Sequence, residues 1–179
     1  LSAFYFDIRK DTLYCDPKNS KKRQSTILLL NIILNSLLKW FAPILSFTTE
    51  EIFKLISENH KSIHLEKFID FPEIFKNEKL NTKWHELIKV RNICNISIEE
   101  KRASKEIGSS LEAELVINLN KKFTEVIKGI DFSELCITSK AEISFKENEE
   151  IIVKTSKAKG DKCPVCWKIS EEACVRHPE

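Results

Sequence analysis

The sequence predicts a mainly α protein, in which a helical bundle is followed by a small α+β subdomain and a cysteine-rich tail. Apolar residues recur at helical spacing over much of the first 107 residues, and the pattern changes to strand-like alternation after Gly108. A Cys-x-x-Cys pair then follows at Cys163 and Cys166. We therefore divide the chain into a helical domain (1–108), a junction subdomain (109–156) and a partial metal-binding module (157–179).

Composition limits the classes of function. The chain has 179 residues, 42% of them hydrophobic and 31% charged, with a net charge of +2. Any nucleic-acid binding must therefore depend on local patches. Its three glycines lie far apart, which excludes a glycine-rich phosphate loop. The lack of methionine and the position of the cysteines at the end lead us to expect an internal piece of a longer protein.

The first predicted elements are two helices separated by a break. Leu1, Phe4 and Ile8 fall at helical spacing, and Pro17 ends that helix. Ser20 is a suitable N-cap for the next one. The stretch 27–47 is the most hydrophobic of the chain, but polar residues and a proline interrupt it, so its apolar run is too short for a membrane span. We expect a central bundle helix there.

The helical part continues with two more elements. Thr48 and Glu51 have the spacing of a capping box, which predicts a short helix after them. Residues 60–78 are irregular, with an extended stretch at 62–68. A long helix is expected from Asn81 to about Ile107, and Gly108 is its candidate C-cap.

The α+β subdomain is predicted from alternation. Residues 111–119 alternate apolar and polar side chains as a strand does, and residues 121–130 are typical of a short helix. Three more short strands are expected at 135–139, 141–145 and 150–156, followed by a linker at 157–162. We detect no βαβ unit, which disfavours a redox role for the Cys-x-x-Cys pair.

Cys163 and Cys166 form the strongest chemical signal. Two thiolates at this spacing lie on a tight turn and can bind one tetrahedral Zn²⁺. A structural site needs four ligands. Within the chain Cys174 and His177 could complete it, and the alternative is a second pair beyond Glu179.

Trp167 follows the pair directly and lies among lysines. An exposed aromatic ring with lysines on both sides suits single-stranded RNA, which is bound by stacking and phosphate neutralisation. The alternative is that the ring packs over the metal turn and the lysines are simply solvated. The lysines between residues 154 and 168 are Lys154, Lys157, Lys159, Lys162 and Lys168, against one acid, Asp161.

No catalytic residues are predicted, because the sequence offers no combination of nucleophile, base and acid that would form a catalytic set. The charged residues among 1–15 give no signal peptide, so a reducing cytoplasm is expected, and there clustered cysteines favour a metal over disulfides.

Five blocks in order resemble one known family. These are "FYFDIRKDTLYCD", "WFAPILSFTTEEIF", "KVRNICN", "KEIGSSLEAEL" and "GDKCPVCWK". Together they closely resemble the C-terminal region of bacterial isoleucyl-tRNA synthetases, class I enzymes that use ATP to join isoleucine to its tRNA. The resemblance covers residues 1–167.

The resemblance implies an anticodon-binding helical bundle, an α+β junction and a truncated zinc-ribbon-like tail. The partners would be the anticodon stem-loop of tRNA(Ile) and the missing catalytic and editing domains of the same polypeptide. ATP and Mg²⁺ would be used only in the missing catalytic domain. The family's tryptophan after the cysteine pair helps to recognise the anticodon region, and Trp167 matches that position. With the basic stretch beside it, we expect Lys162 and Lys168 to contact the tRNA as well, and we expect no membrane partner.

At its end the chain departs from the family's pattern. In the family the zinc is held by a second cysteine pair, which would lie beyond Glu179. Cys163 and Cys166 then carry over as ligands, while Cys174 and His177 do not. Two alternatives remain: a helical scaffold with a self-contained Cys3His zinc knuckle for protein binding, and the equivalent region of a valyl-tRNA synthetase.

Overall fold

The structure is a computed structural model, and it describes residues 2–57, 61–147 and 150–177. These residues form two compact units. One contains the described residues of 12–76, and the other contains those of 1–11 and 77–179. The division into 1–108, 109–156 and 157–179 stays a prediction, since packing into units and division by function need not coincide.

Six α-helices and five strands are present in the described part of the chain. The helices are α1 (Asp7–Cys15), α2 (Lys21–Phe41), α3 (Ser46–Ile56), α4 (Glu78–Ala103), α5 (Thr124–Ile127) and α6 (Phe132–Leu135), and a π-helical segment, Ser2–Phe6, precedes α1. The strands are β1 (Ala113–Asn120), β2 (Lys140–Lys146), β3 (Ile152–Lys157), β4 (Asp161–Lys162) and β5 (Ile169–Ser170). Short 3-10 turns lie at Ile63–Leu65, Glu73–Phe75, Ser110–Glu112 and Lys121–Phe123. The predicted class, mainly α with a small α+β part, is confirmed.

The unit of residues 12–76 is built on α2 and α3. Its buried apolar side chains are Leu38, Ala42, Phe53 and Ile63. The carboxylate of Glu50 holds the next segment to α3, because its Oε2 accepts hydrogen bonds from Ser62 Oγ and Ile63 N, both at 2.9 Å. The Ser62 hydroxyl is the main cause of the lowered pKa of Glu50. The core is small for the number of apolar residues in this stretch.

The second unit packs the long helix α4 on a three-stranded sheet. One face of α4 buries Leu87, Val90, Cys94 and Ile98, four positions at helical spacing. They meet the inward side chains of β1, of which Leu115 and Ile117 are fully buried. Burial of these side chains from both elements forms the larger core of the molecule.

The sheet has the order β2-β1-β3. Strand β1 is parallel to β2, with Leu115 opposite Ala141, and antiparallel to β3, with Leu115 opposite Thr155. The parallel pair is connected through α5 and α6, so a small βαβ unit exists that the sequence analysis missed. The cysteine pair follows β3, away from the turn after β1, so this unit does not position it as a redox motif.

Several helix ends differ from the sequence predictions. Ser20 caps α2 as expected, with its Oγ accepting from Arg23 N at 3.4 Å. Helix α3, however, begins at Ser46, and Thr48 does not cap it. Helix α4 begins at Glu78 after an Asn77 cap and ends at Ala103.

Gly108 was expected to end α4, but the chain turns earlier. Lys105 takes the left-handed conformation at φ 60°, which is the conformation that ends many helices. The Gly108 N–H instead donates to Glu112 Oε2 at 3.0 Å. The predicted C-cap at Gly108 is therefore wrong, because the helix ends one turn before it.

The predicted strand at residues 135–139 is also wrong. Asp131 Oδ1 accepts from Ser133 N at 2.8 Å and from Glu134 N at 3.3 Å, which starts the short helix α6. Ile137 then turns the chain at φ 57°. A side-chain cap thus overrides the strand propensity of these residues.

Two expectations for the first half of the chain were tested by the structure. The stretch expected to be extended at 62–68 contains the 3-10 turn Ile63–Leu65. None of the helices within the described ranges is both long and apolar enough to cross a membrane.

Candidate functional site

The cysteine-rich tail folds as a small hairpin. Strands β4 and β5 pair antiparallel, with Lys162 opposite Ile169. Between them the chain makes a tight turn, in which Cys163 N donates to Lys168 O and Trp167 N donates to Cys163 O, both at 2.9 Å. This turn brings the sulfur atoms of Cys163 and Cys166 to the same side.

Gly160 is required at the base of this hairpin. Its φ is 107°, a region that side chains rarely adopt. A Cβ added there would lie 2.1 Å from the carbonyl oxygen of Ser170. The close approach of the two strands therefore depends on glycine at this position.

Four candidate metal ligands converge beside the hairpin. The ligand atoms of Cys163, Cys166, Cys174 and His177 all lie within 4.8 Å of one another. Cys163 Sγ is 3.6 Å from His177 Nδ1, Cys166 Sγ is 3.7 Å from Cys174 Sγ, and Cys174 Sγ is 3.3 Å from His177 Nδ1.

These distances fit a tetrahedral zinc site. Zn–S bonds of about 2.3 Å in a tetrahedron place neighbouring sulfur atoms about 3.8 Å apart, and a nitrogen ligand lies slightly closer. Two cysteines of the set are buried and the other two residues are half-buried. The soft thiolates and one imidazole suit Zn²⁺ better than Mg²⁺ or Ca²⁺, which take oxygen ligands.

Backbone hydrogen bonds favour the thiolate form of Cys163. The backbone N–H of Cys166 is the main cause that lowers the pKa of Cys163 to about 6, and the N–H of Val165 adds to it. Burial raises the pKa of Cys166 to about 11. For Cys174 burial acts upward, but hydrogen bonds from Arg176 N and His177 outweigh it and lower the pKa. The turn thus favours a charged sulfur at Cys163, as a metal site needs.

Trp167 projects into solvent from the turn between β4 and β5, residues 163–168, which we call the metal turn. Its backbone adopts φ 64°, and its side chain is 59% exposed. The Nζ of Lys162 lies 5.2 Å from the ring centroid, within the range of a cation–π interaction. A ring with an ammonium group over one face can accept a flat aromatic group on the other.

Lys168, the third predicted RNA contact, is placed differently. It is half-buried, and its charge acts on the carboxylate of Asp131. Burial would raise the pKa of Asp131, but hydrogen bonds from Ser133 and Glu134 together with the charge of Lys168 lower it. Lys168 is therefore less accessible to a partner than Lys162, which is exposed.

Contacts from distant parts of the chain anchor the tail. Ile169 N donates to Ser139 Oγ at 2.6 Å, and Ser139 Oγ donates to the carbonyl oxygen of Leu111. Arg176 Nη1 is 2.5 Å from Asp11 Oδ2. These anchors hold the metal turn against the sheet and against α1. No sequence pattern marked them.

The structure brings most of the predicted site residues together. Cys163, Cys166, Trp167 and Lys162 lie on one turn, and the fold adds Cys174 and His177 to the two cysteines. The expectation of a second cysteine pair beyond Glu179 stays a prediction. Three further lysines of the basic stretch, Lys154, Lys157 and Lys159, are exposed on or just after β3.

Comparison with known proteins identifies the helical part. A family model described as the anticodon-binding domain of tRNA ligase matches residues 1–117. The chain is 66% identical over its whole length to an isoleucine--tRNA ligase of Pelagibacter ubique. It is 38% identical to the isoleucine--tRNA ligase of Agrobacterium fabrum and 40% identical to that of Bradyrhizobium diazoefficiens, each over 96% of the chain.

The chain is much shorter than these relatives. It covers 20%, 19% and 18% of their respective lengths. The family model ends at residue 117, so the metal turn lies outside the matched region. The relatives, in contrast, align across nearly all of the chain.

Proposed function

This chain belongs to the family of anticodon-binding domains of tRNA ligases, and on that premise we propose that it holds the anticodon stem-loop of tRNA(Ile). The parent protein would be an isoleucine--tRNA ligase that joins isoleucine to its tRNA with ATP and Mg²⁺. We assign it to the cytoplasm. The chain contributes recognition and no bond-making step. Binding far from the reacting end would position the acceptor end for catalysis elsewhere in the polypeptide.

The observation that carries this proposal is the exposed indole ring of Trp167, which lies beside the ammonium group of Lys162. The hairpin turn sets the left-handed backbone of Trp167, whose N–H donates to the carbonyl oxygen of Cys163, and this conformation directs the ring away from the sulfur atoms. The ring is 59% exposed, and Lys162 Nζ lies 5.2 Å from its centroid. The arrangement is explained if the ring stacks on an unpaired base of the anticodon loop. Lys162 would neutralise a nearby phosphate, and Lys168 would contribute less because it is half-buried.

Stacking is tested by replacing the ring. We expect Trp167→Ala to weaken binding of tRNA(Ile) about 5- to 150-fold, because a stacked base is worth about 1–3 kcal/mol. Val165→Ala is the matched control, since Val165 is 52% exposed on the same turn and carries no aromatic ring. Binding is measured by filter retention at fixed salt. Equal affinities of the two variants would contradict the stacking role.

We also propose that the tail binds one structural Zn²⁺ through Cys163 and Cys166. Zinc would fix the turn that presents Trp167. The other two ligands have two candidate sources: Cys174 and His177, which the fold supports by their distances, and the cysteine pair expected beyond Glu179. The first source defines the alternative of a self-contained Cys3His knuckle.

Metal analysis separates these sources. Cys163→Ser should lose the zinc in every form of the protein, whereas Cys15→Ser, a cysteine outside the cluster, should retain it. If Cys174 is a ligand, the 179-residue chain binds one zinc and Cys174→Ser loses it. If the cysteine pair expected beyond Glu179 supplies the other two ligands, zinc binding requires the longer polypeptide and is unchanged by Cys174→Ser. Retention of zinc by Cys163→Ser would overturn the proposal.

A further inference from the structure

Ser139 lies at the junction of the three-stranded sheet and the metal turn. Its Oγ accepts a hydrogen bond from Ile169 N at 2.6 Å and donates one to the carbonyl oxygen of Leu111. Its own N–H donates to the carbonyl oxygen of Ala113 at 3.1 Å, where β1 begins. One half-buried serine thus joins strand β5 to the start of the central strand of the sheet.

The Ser139 hydroxyl binds an N–H group that the hairpin itself does not use. Cys163 and Lys168 lie opposite each other, and Cys163 N donates to Lys168 O at 2.9 Å. Hydrogen bonds alternate along an antiparallel pair, so the N–H of the next residue, Ile169, points away from β4. Without the hydroxyl this half-buried N–H would lose its protein partner, which is a costly change.

This hydrogen bond lies close to the ring of Trp167. Trp167 is two positions before Ile169, and its N–H donates to the carbonyl oxygen of Cys163 at 2.9 Å. Because the bond from Cys163 N to Lys168 O closes the same turn, the turn behaves as one unit. Ser139 fixes this unit to the sheet just after the turn ends. A displacement at Ile169 therefore moves the exposed indole ring.

The other contacts of the tail act farther from the ring. Ala158 N donates to the carbonyl oxygen of Glu112 at 2.8 Å, on the side before β4. Arg176 pairs with Asp11 on the side after β5. Both contacts limit where the tail lies, but neither fixes the strand that leads directly out of the metal turn. That part of the orientation depends on Ser139.

We propose that Ser139 is a positioning residue for RNA recognition, which acts through Trp167 and does not touch the RNA. The inference rests on the proposed function, since it takes Trp167 to stack on an unpaired base. Stacking requires the indole plane to lie parallel to the base. A ring that is already held in that orientation loses less entropy on binding than a mobile one. The Ser139 hydroxyl therefore raises the affinity for the anticodon loop.

Substitution of the serine tests this role. Ser139→Ala removes both hydrogen bonds of the hydroxyl, and Ser139→Thr keeps the hydroxyl. Ser144→Ala is the matched control, because Ser144 is also half-buried and its hydroxyl donates to Asn118 Oδ1 at 2.6 Å within the sheet. We expect Ser139→Ala to bind the tRNA(Ile) anticodon stem-loop about tenfold more weakly, within the range for loss of a stacked base. The other two variants should bind as the unaltered chain does.

Two results of this comparison would overturn the positioning role. One is equal affinity of Ser139→Ala and Ser144→Ala, which would mean that loss of a hydroxyl bridge in the sheet acts only on stability. The other is a Ser139→Thr variant that binds as weakly as Ser139→Ala. Thermal midpoints of the three variants, measured alongside, show that each remains folded at the temperature of the binding assay.

A double-mutant cycle tests whether the effect passes through the ring. In the Trp167→Ala background no ring remains to be positioned, so Ser139→Ala should weaken binding by less than about twofold further. Additive losses in the double variant would contradict action through Trp167. If Trp167→Ala alone leaves RNA binding unchanged, the proposed stacking fails. Loss of binding in Trp167→Ala without loss in Ser139→Ala refutes the positioning role alone.

A spectroscopic measurement of the ring needs no RNA. The chain contains three tryptophans, Trp40, Trp84 and Trp167, which can be replaced by fluorotryptophan, and Trp167→Phe identifies the resonance of that ring. We expect Ser139→Ala to shift or broaden the Trp167 fluorine resonance. The Trp84 resonance should stay unchanged, because Trp84 packs on Phe4 with ring centroids 6.1 Å apart. An unchanged Trp167 resonance would refute the positioning role.

Discussion

At the residue scale, two residues of the tail have positive φ for different reasons. Gly160 and Trp167 both have positive φ, at 107° and 64°. For Gly160 the reason is steric, because Ser170 leaves no room for a side chain. For Trp167 the hairpin turn sets the conformation, because its N–H donates to the carbonyl oxygen of Cys163, and the ring stays exposed to solvent. Gly160 allows the two strands to approach, and Trp167 presents its ring to solvent from the turn between them.

Gly160→Ala should therefore disrupt the hairpin. The new Cβ would overlap the carbonyl oxygen of Ser170, so β4 and β5 would separate and the metal turn would loosen. Gly129→Ala is the control, because Gly129 also has positive φ, 76°, but no atom within 4 Å of the added Cβ. The control should cost about 1 kcal/mol from backbone strain alone. Equal zinc affinity and equal thermal midpoints of the two variants would contradict the steric account.

At the element scale, segments with a repeating apolar pattern were predictable and the helix ends were not. The sequence patterns predicted α2, α4, β1, β2 and β3, whereas α3 was predicted from a capping box that the structure does not contain. The errors lie at helix ends and in the segment 131–139. There the carboxylate of Asp131 accepts hydrogen bonds from the backbone N–H groups of Ser133 and Glu134. This cap starts a helix where the residue types favour a strand. A pattern of apolar residues carries no information on such a choice.

Asp131→Ala should reveal the strength of this cap. We expect a loss of about 1 kcal/mol in the free energy of unfolding at neutral pH, as for other N-caps. Because the pKa of Asp131 is lowered in the folded chain, its contribution is complete above the unfolded value near 3.8. It is lost as the pH falls through the lower, folded pKa. Denaturation of both proteins at several pH values measures this.

The difference between the unaltered protein and Asp131→Ala should accordingly shrink only below about pH 4. Asp131→Asn serves as the control, because asparagine also caps helices and removes only the charge. A difference that stays constant down to the acid transition would mean that the carboxylate has no part in stabilising α6.

At the scale of the whole molecule, the site combines local and distant contributions. The cysteine pair, Trp167 and Lys162 are contiguous, so the sequence predicted them as one feature. The anchor between Asp11 and Arg176 joins residues 165 positions apart. Such a contact exists only after α1, the sheet and the tail have folded. The ligand set was left open for the same reason, since only the fold brings Cys174 and His177 to the pair.

We propose above all that this chain recognises the anticodon stem-loop of tRNA(Ile). The most direct measurement is fluorescence anisotropy of the 179-residue chain with that stem-loop and with one of identical stem but different anticodon, at one salt concentration. We predict binding at least about tenfold tighter to the tRNA(Ile) loop, a difference of about 1.4 kcal/mol. Equal affinity for the two loops, or no binding of either, would contradict the account.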